Sequence, residues 1–185
     1  MRALIVIDYT VDFVLGKLPC GQPGIDIEGR IAALTREFAA AGDLVVMAVD
    51  LHDEADVHHP EYKLFPPHNL RGTEGRRLYG ELDDAYREWK DAVYWMDKTR
   101  YSAFCGTDLE LQLRSRGIRE LHLIGVCTDI CVLHTAVDAY NKSFDIIVHE
   151  DAVASFNPAG HEWALGHFKH TLGAAVVRGG EQAAL

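Results

Sequence analysis

Three observations predict an α/β fold, a three-layer α/β/α sandwich around a mostly parallel sheet of about six strands. Short apolar runs alternate along the chain with amphipathic stretches of helical period. The runs are apolar throughout, as expected of strands covered on both faces. No linker, repeat or low-complexity tract divides the 185 residues, a length suited to one well-buried domain over residues 1–185.

The first strand covers residues 3–8 and ends in a carboxylate, Asp8. Ile27, Ile31, Leu34, Phe38 and Ala41 then recur at helical spacing, and Gly42 follows as a stop. Residues 44–50 form a valine-rich second strand. Residues 51–75 are polar, rich in His and Pro, and too long and irregular for a simple connector. A helix over residues 76–89 and a third strand over 92–98 come next. Thr107-Asp-Leu-Glu110 has the form of a capping box, opening a helix that Gly117 closes. After a fourth strand over 121–126, Thr128 is the expected N-cap of a helix reaching Asn141. Strands over 145–149 and 174–177 flank a helix over 158–172, and residues 178–185 read as a frayed tail.

Composition narrows the function classes. The formal net charge of −10 argues against a nucleic-acid or anionic-membrane partner, since both require a basic face. The first apolar run is too short for a signal peptide, and no stretch is long enough to span a bilayer. Cys20, Cys105, Cys127 and Cys131 are therefore expected as reduced thiols in a cytoplasmic protein. No G-x-G-x-x-G follows the first strand, so no dinucleotide site is indicated.

In open α/β sheets, ligands bind outside the carboxyl ends of the strands. Asp8, Asp50 and Lys98 each end an expected strand, and Cys131 lies in the first turn after the fourth. One charged residue at a strand end is usually a surface or capping group. Four reactive side chains from four elements point to a shared site. Cys131, near a helix N-terminus and with Lys98 at a neighbouring strand end, is expected to have its thiolate favoured. The backbone N–H groups of that turn can serve as an oxyanion hole. A C-x-x-x-C dithiol role with Cys127 is the weaker alternative, because redox pairs favour C-x-x-C. Asp8 reads either as a cap or ion-pair partner of Lys98, or as the group that takes the thiol proton and returns it to a leaving group.

A second constellation follows the second strand. In an extended segment residues i and i+2 face the same side, so Asp50 and His52 can grip one ion. His58, His59, Glu61 and His68 follow within the same loop. Imidazole with carboxylate suits Zn²⁺, Fe²⁺ or Mn²⁺ better than Ca²⁺.

Five segments carry a family likeness: Val6-Ile-Asp-Tyr-Thr-Val-Asp-Phe13, Asp50-Leu-His52, Lys63-Leu-Phe-Pro-Pro-His68, Lys98-Thr-Arg-Tyr-Ser-Ala-Phe104 and Gly125-Val-Cys-Thr-Asp-Ile-Cys131. In order, over nearly the whole chain, they resemble the nicotinamidase/pyrazinamidase branch of the isochorismatase-like cysteine hydrolases. The Asp, Lys and Cys segments resemble that superfamily at large, and the Phe-Pro-Pro-His loop narrows the likeness to the branch. The resemblance implies a catalytic triad of Asp8, Lys98 and Cys131. It also implies one divalent metal, zinc foremost, held by Asp50, His52 and His68. Glu61 is the favoured further ligand, with His58 and His59 as the alternatives. It implies a non-proline cis peptide at Val126–Cys127, an oxyanion hole from the N–H groups of Cys127 and Cys131, and aromatic walls from Phe13, Phe65 and Tyr101. The implied reaction is hydrolysis of nicotinamide to nicotinate and ammonia through a Cys131 thioester, in NAD salvage, by a homo-oligomer. Three alternatives stand beside it. One is another amidohydrolase, one a vinyl-ether hydrolase acting on isochorismate, and one a non-catalytic binding homologue. The second of these needs neither the cysteine nor the metal loop.

Overall fold

The computed structural model describes residues 1–179, so positions 180–185 of the expected tail lie outside the described residues. The strands are β1 (Ala3–Ile7), β2 (Leu44–Asp50), β3 (Val93–Lys98), β4 (Glu120–Val126), β5 (Asp145–Ala154) and β6 (Ala175–Val177). They form one six-stranded sheet in the order β3-β2-β1-β4-β5-β6, every neighbouring pair parallel. The helices are α1 (Val11–Val14), α2 (Gln22–Asp26), α3 (Glu28–Ala40), α4 (Glu81–Glu88), α5 (Leu109–Ser115), α6 (Leu133–Asn141) and α7 (Pro158–His170).

Alternation along the buried strands builds a core on each face of the sheet. Ala3, Ile5 and Ile7 pack with residues of α5, α6 and α7, including Leu109, Leu113, Ala136 and Phe168. Leu4 and Val6 pack on the other side with Ile31, Leu34 and Phe38 of α3. Phe38 and Phe168 are almost completely buried, each contributing about 1.5–3 kcal/mol from lost water contact. The strand order reverses between β1 and β4, so the crevice for a ligand opens beyond the carboxyl ends of those two strands. Asp8 follows β1 and the Cys127–Cys131 turn follows β4.

Four local expectations are corrected. The helix expected over residues 76–89 forms only as α4, because Gly80 adopts φ +51° and interrupts the chain there. Glu28 then accepts a hydrogen bond from the Glu81 N–H at 2.8 Å and caps the shortened helix. The capping box at Thr107 does not form. Its hydroxyl donates to the Ala103 carbonyl at 2.6 Å, while Glu110 pairs with Lys142 at 2.6 Å. Thr128 is not an N-cap either: residues Thr128–Val132 form a π-helical turn, and the Thr128 hydroxyl bonds His161 Nδ1 at 2.8 Å. Finally, β5 runs five residues beyond its expected end, to Ala154. A register shift opposite Leu123 and Gly125 lets it keep pairing with β4.

Candidate active site

The sheet brings Asp8, Lys98 and Cys131 together, all at or below 5% exposure. Lys98 pairs with Asp50 across the β2–β3 register, which aims both strand ends at the crevice. Lys98 Nζ lies 2.7 Å from Asp8 Oδ2, 3.6 Å from Asp50 Oδ1 and 3.7 Å from Cys131 Sγ, and donates to the Arg100 carbonyl at 3.1 Å. Asp8 takes φ +55°, directing its carboxylate so that Oδ1 accepts from the Asp50 N–H at 2.8 Å. The Val126–Cys127 peptide bond is cis, the isomer that the resemblance implies.

Burial decides the electrostatics. It pushes the Asp8 carboxyl up to about 6, partly opposed by Lys98 and reinforced by Asp50. Burial would lower the Lys98 ammonium, but the charges of Asp8, Cys131 and Asp50 outweigh it and hold the pKa above the ordinary lysine range. The Cys131 thiol is raised well above its ordinary value by burial, against the pull of Lys98. The expected thiolate is thus overturned. Cys131 sits inside the π-helical turn ahead of α6, and loss of solvent there outweighs the nearby cation. What results is a neutral thiol sharing one buried site with a carboxylate of elevated basicity, a pair suited to passing a proton from sulfur to oxygen. The C-x-x-x-C alternative finds no support, since Cys127 Sγ partners Cys20 Sγ at 3.5 Å.

The polar loop folds back so that Leu70 forms a parallel bridge with His52, which sets His68 beside the end of β2. The Asn69 N–H donates to Asp12 at 2.8 Å, and Thr10 Oγ1 donates to Asn69 Oδ1 at 2.9 Å, anchoring that return. Ligand atoms of Asp50, His52 and His68 all lie within 4.8 Å of one another. Glu61 Oε2 is 3.7 Å from His68 Nε2. His68 Nδ1 donates to the Pro66 carbonyl at 2.8 Å, leaving a lone pair on Nε2. That Nε2 and Asp50 Oδ1 are buried without a hydrogen-bond partner, so the donor set fits a divalent cation. His59 spends both ring nitrogens elsewhere, Nε2 donating to the Thr99 carbonyl at 2.7 Å and Nδ1 accepting from the Glu61 N–H at 3.2 Å. His58 is exposed. Of the alternatives for the further ligand, Glu61 is the one whose side chain is uncommitted and directed at the cluster.

Phe13, Phe65 and Tyr101 line a pocket that reaches Cys127 and Cys131. Phe13 meets His68 edge-on at 5.1 Å between ring centres, so the pocket and the donor cluster share a boundary. Leu18, Ile130 and Phe156 also line it, and periodicity gave no signal for them. Arg76 was likewise missed. Its Nε donates to the Asp50 carbonyl at 2.8 Å and its guanidinium pairs with Asp97, bracing the ends of β2 and β3. Arg76 sits in the short turn Glu74–Arg76, where neither helical nor strand periodicity marks a residue.

Comparison with known proteins matches residues 2–181 to the isochorismatase domain. A nicotinamidase/pyrazinamidase PncA structure from Bacillus subtilis is 62% identical, covers 96% of this chain and 100% of its own, and has a TM-score of 0.94. The pyrazinamidase/nicotinamidase of Streptococcus mutans is 50% identical over 96% of this chain and 100% of its own, with a TM-score of 0.93. The pyrazinamidase of Pyrococcus horikoshii, solved in complex with zinc, is 30% identical over 96% and 99%, with a TM-score of 0.85. On its fold, its motifs and these matches, the chain belongs to the isochorismatase family of hydrolases.

Proposed function

We propose that the protein is a nicotinamidase, converting nicotinamide to nicotinate and ammonia in the cytoplasm as a step of NAD salvage. The observation that carries this is the buried Asp8–Lys98–Cys131 group, which opens onto an aromatic pocket bordered by Asp50, His52, Glu61 and His68. Asp50, His52, His68 and Glu61 would hold one divalent ion, zinc being the metal bound to the Pyrococcus relative. When bound, that ion supplies a Lewis-acidic contact, direct or through its water, for the pyridine nitrogen.

The chain's own residues then account for the covalent chemistry. The aromatic walls hold the flat ring so that the carboxamide carbon faces Cys131 Sγ. Asp8 takes the thiol proton as sulfur adds to the carbonyl carbon, and Lys98 keeps the Asp8 carboxylate charged until that moment. The N–H groups of Cys127 and Cys131 hold the oxyanion. Asp8 returns the proton to the departing nitrogen, the C–N bond breaks, and ammonia leaves a thioester on Cys131. Asp8 next takes a proton from water, which adds to the thioester carbon. The C–S bond breaks with return of that proton to sulfur, releasing nicotinate.

The test is ammonia release from nicotinamide by the wild type, with and without a chelator, alongside Cys131→Ala. Wild-type turnover, its loss on chelation and a fall of at least about 10³-fold in the variant are expected. Substantial turnover by Cys131→Ala would refute covalent catalysis, and no wild-type ammonia would refute the substrate.

A further inference from the structure

The extension of β5 carries Ser155, Phe156 and Asn157 to the edge of the nucleophile turn, where no expected strand would have brought them. Phe156 lines the same pocket as Cys127, Ile130 and Cys131. The residue is 41% exposed, a large apolar side chain left partly uncovered at the pocket rim. Both of its neighbours are fastened to one carboxylate. Ser155 Oγ donates to Asp129 Oδ1 at 2.6 Å, and Asn157 Nδ2 donates to Asp129 Oδ2 at 3.3 Å. The Asn157 N–H donates to Ser155 Oγ at 3.1 Å, and Asn157 Oδ1 accepts from the Gly160 N–H at 3.1 Å, tying the bracket to the start of α7. Asp129 itself belongs to the turn Thr128–Val132 that carries Cys131. One residue therefore sets both the nucleophile turn and the backbone on either side of the Phe156 ring.

We propose that Phe156 is a specificity-determining wall for planar aromatic amides, and that Asp129 is the positioning residue that holds it against the pocket. A flat ring entering over Cys131 covers the exposed face of Phe156 and gains aromatic contact, whereas a small aliphatic amide gains much less. A pre-ordered wall also spares the ligand the cost of immobilising a loop.

The inference rests on the amidase reading, and the experiment separates the two. Nicotinamide and propionamide are compared as substrates of the wild type, Phe156→Ala, Asp129→Asn and the double variant. Phe156 is half exposed at the rim, so its truncation leaves the core intact, which circular dichroism checks. The kcat/KM ratio of nicotinamide to propionamide is expected to fall about tenfold in Phe156→Ala, chiefly through the KM for nicotinamide. Asp129→Asn lowers the same ratio in the wild-type background and lowers it no further beside Phe156→Ala, a non-additivity that a general loss of structure would not produce. An unchanged ratio in Phe156→Ala overturns the wall. A ratio that Asp129→Asn leaves unchanged, or lowers equally in both backgrounds, overturns the positioning role. Absence of any wild-type ammonia from nicotinamide overturns the underlying reading and this inference with it.

Discussion

Gly125→Ala tests how the sheet positions the site. Gly125 lies near the end of β4, paired with Ile7 at the end of β1, and adopts φ +115°. A Cβ there would sit 2.0 Å from the Ile7 carbonyl oxygen, where real Cβ contacts shorter than 3.0 Å essentially never occur. The two strands must therefore part by about 1 Å, or the backbone must leave its conformation. Strain at such a dihedral costs about 1–3 kcal/mol and overpacking a further 1–3 kcal/mol, giving roughly 4 kcal/mol in total. For a chain of this size that is a fall in Tm of about 8–16 °C, read by calorimetry or urea denaturation. The residue after Ile7 is Asp8, 2.7 Å from Lys98, so a displacement of about 1 Å should also lower kcat/KM on the order of 100-fold. A variant within about 1 kcal/mol of the wild type and with full activity would show that β1 and β4 are not held in this contact, and the reasoning would fail.

Other outcomes follow from the same geometry. Lys98→Met leaves Asp8 and Asp50 buried without their cation and should cost about 3–5 kcal/mol in urea denaturation, with kcat down on the order of 10²-fold because Asp8 is no longer held charged to take the thiol proton. Wild-type stability would contradict the pairing. Asp50→Ala should abolish stoichiometric zinc binding, measured by calorimetric titration, while the fold persists; retained binding would remove Asp50 from the ligand set. The buried His122–His149 pair predicts an acid-labile fold, because burial lowers both groups and brings His149 to about 4. Their folded pKa values lie below the unfolded one of about 6.5, so this stability is complete above that pH and is lost as pH falls from about 6.5 toward 4. For His149 alone the loss approaches about 3 kcal/mol; His149→Gln should show a shallower decline between pH 7 and 5, and an equal slope would refute the assignment.

Much of the site was legible before folding because its residues follow local rules. Asp50 and His52 share a side by strand periodicity, and Cys131 falls in the turn after an apolar run whatever the rest of the chain does. Phe156 was not legible because the strand that delivers it ends, by pattern, at His149. Only the register shift against β4 extends β5 to Ala154. The Cys20–Cys127 contact and the Arg76 brace join positions far apart in sequence, and no local pattern encodes either.

The alternation of apolar strands and amphipathic helices determined the α/β sandwich, and the chemistry of the strand ends determined which residues could meet. Burial patterns of period 2 and 3.6 are local, so a single chain displays them. The tertiary structure decided the protonation of that chemistry. Proximity of Lys98 suggested a thiolate at Cys131, but a side chain 5% exposed loses its water, and desolvation outweighs one cation. It likewise decided that the His59 ring, although it lies against His52, has its nitrogens engaged by the Thr99 carbonyl, forty residues away, and by the Glu61 N–H.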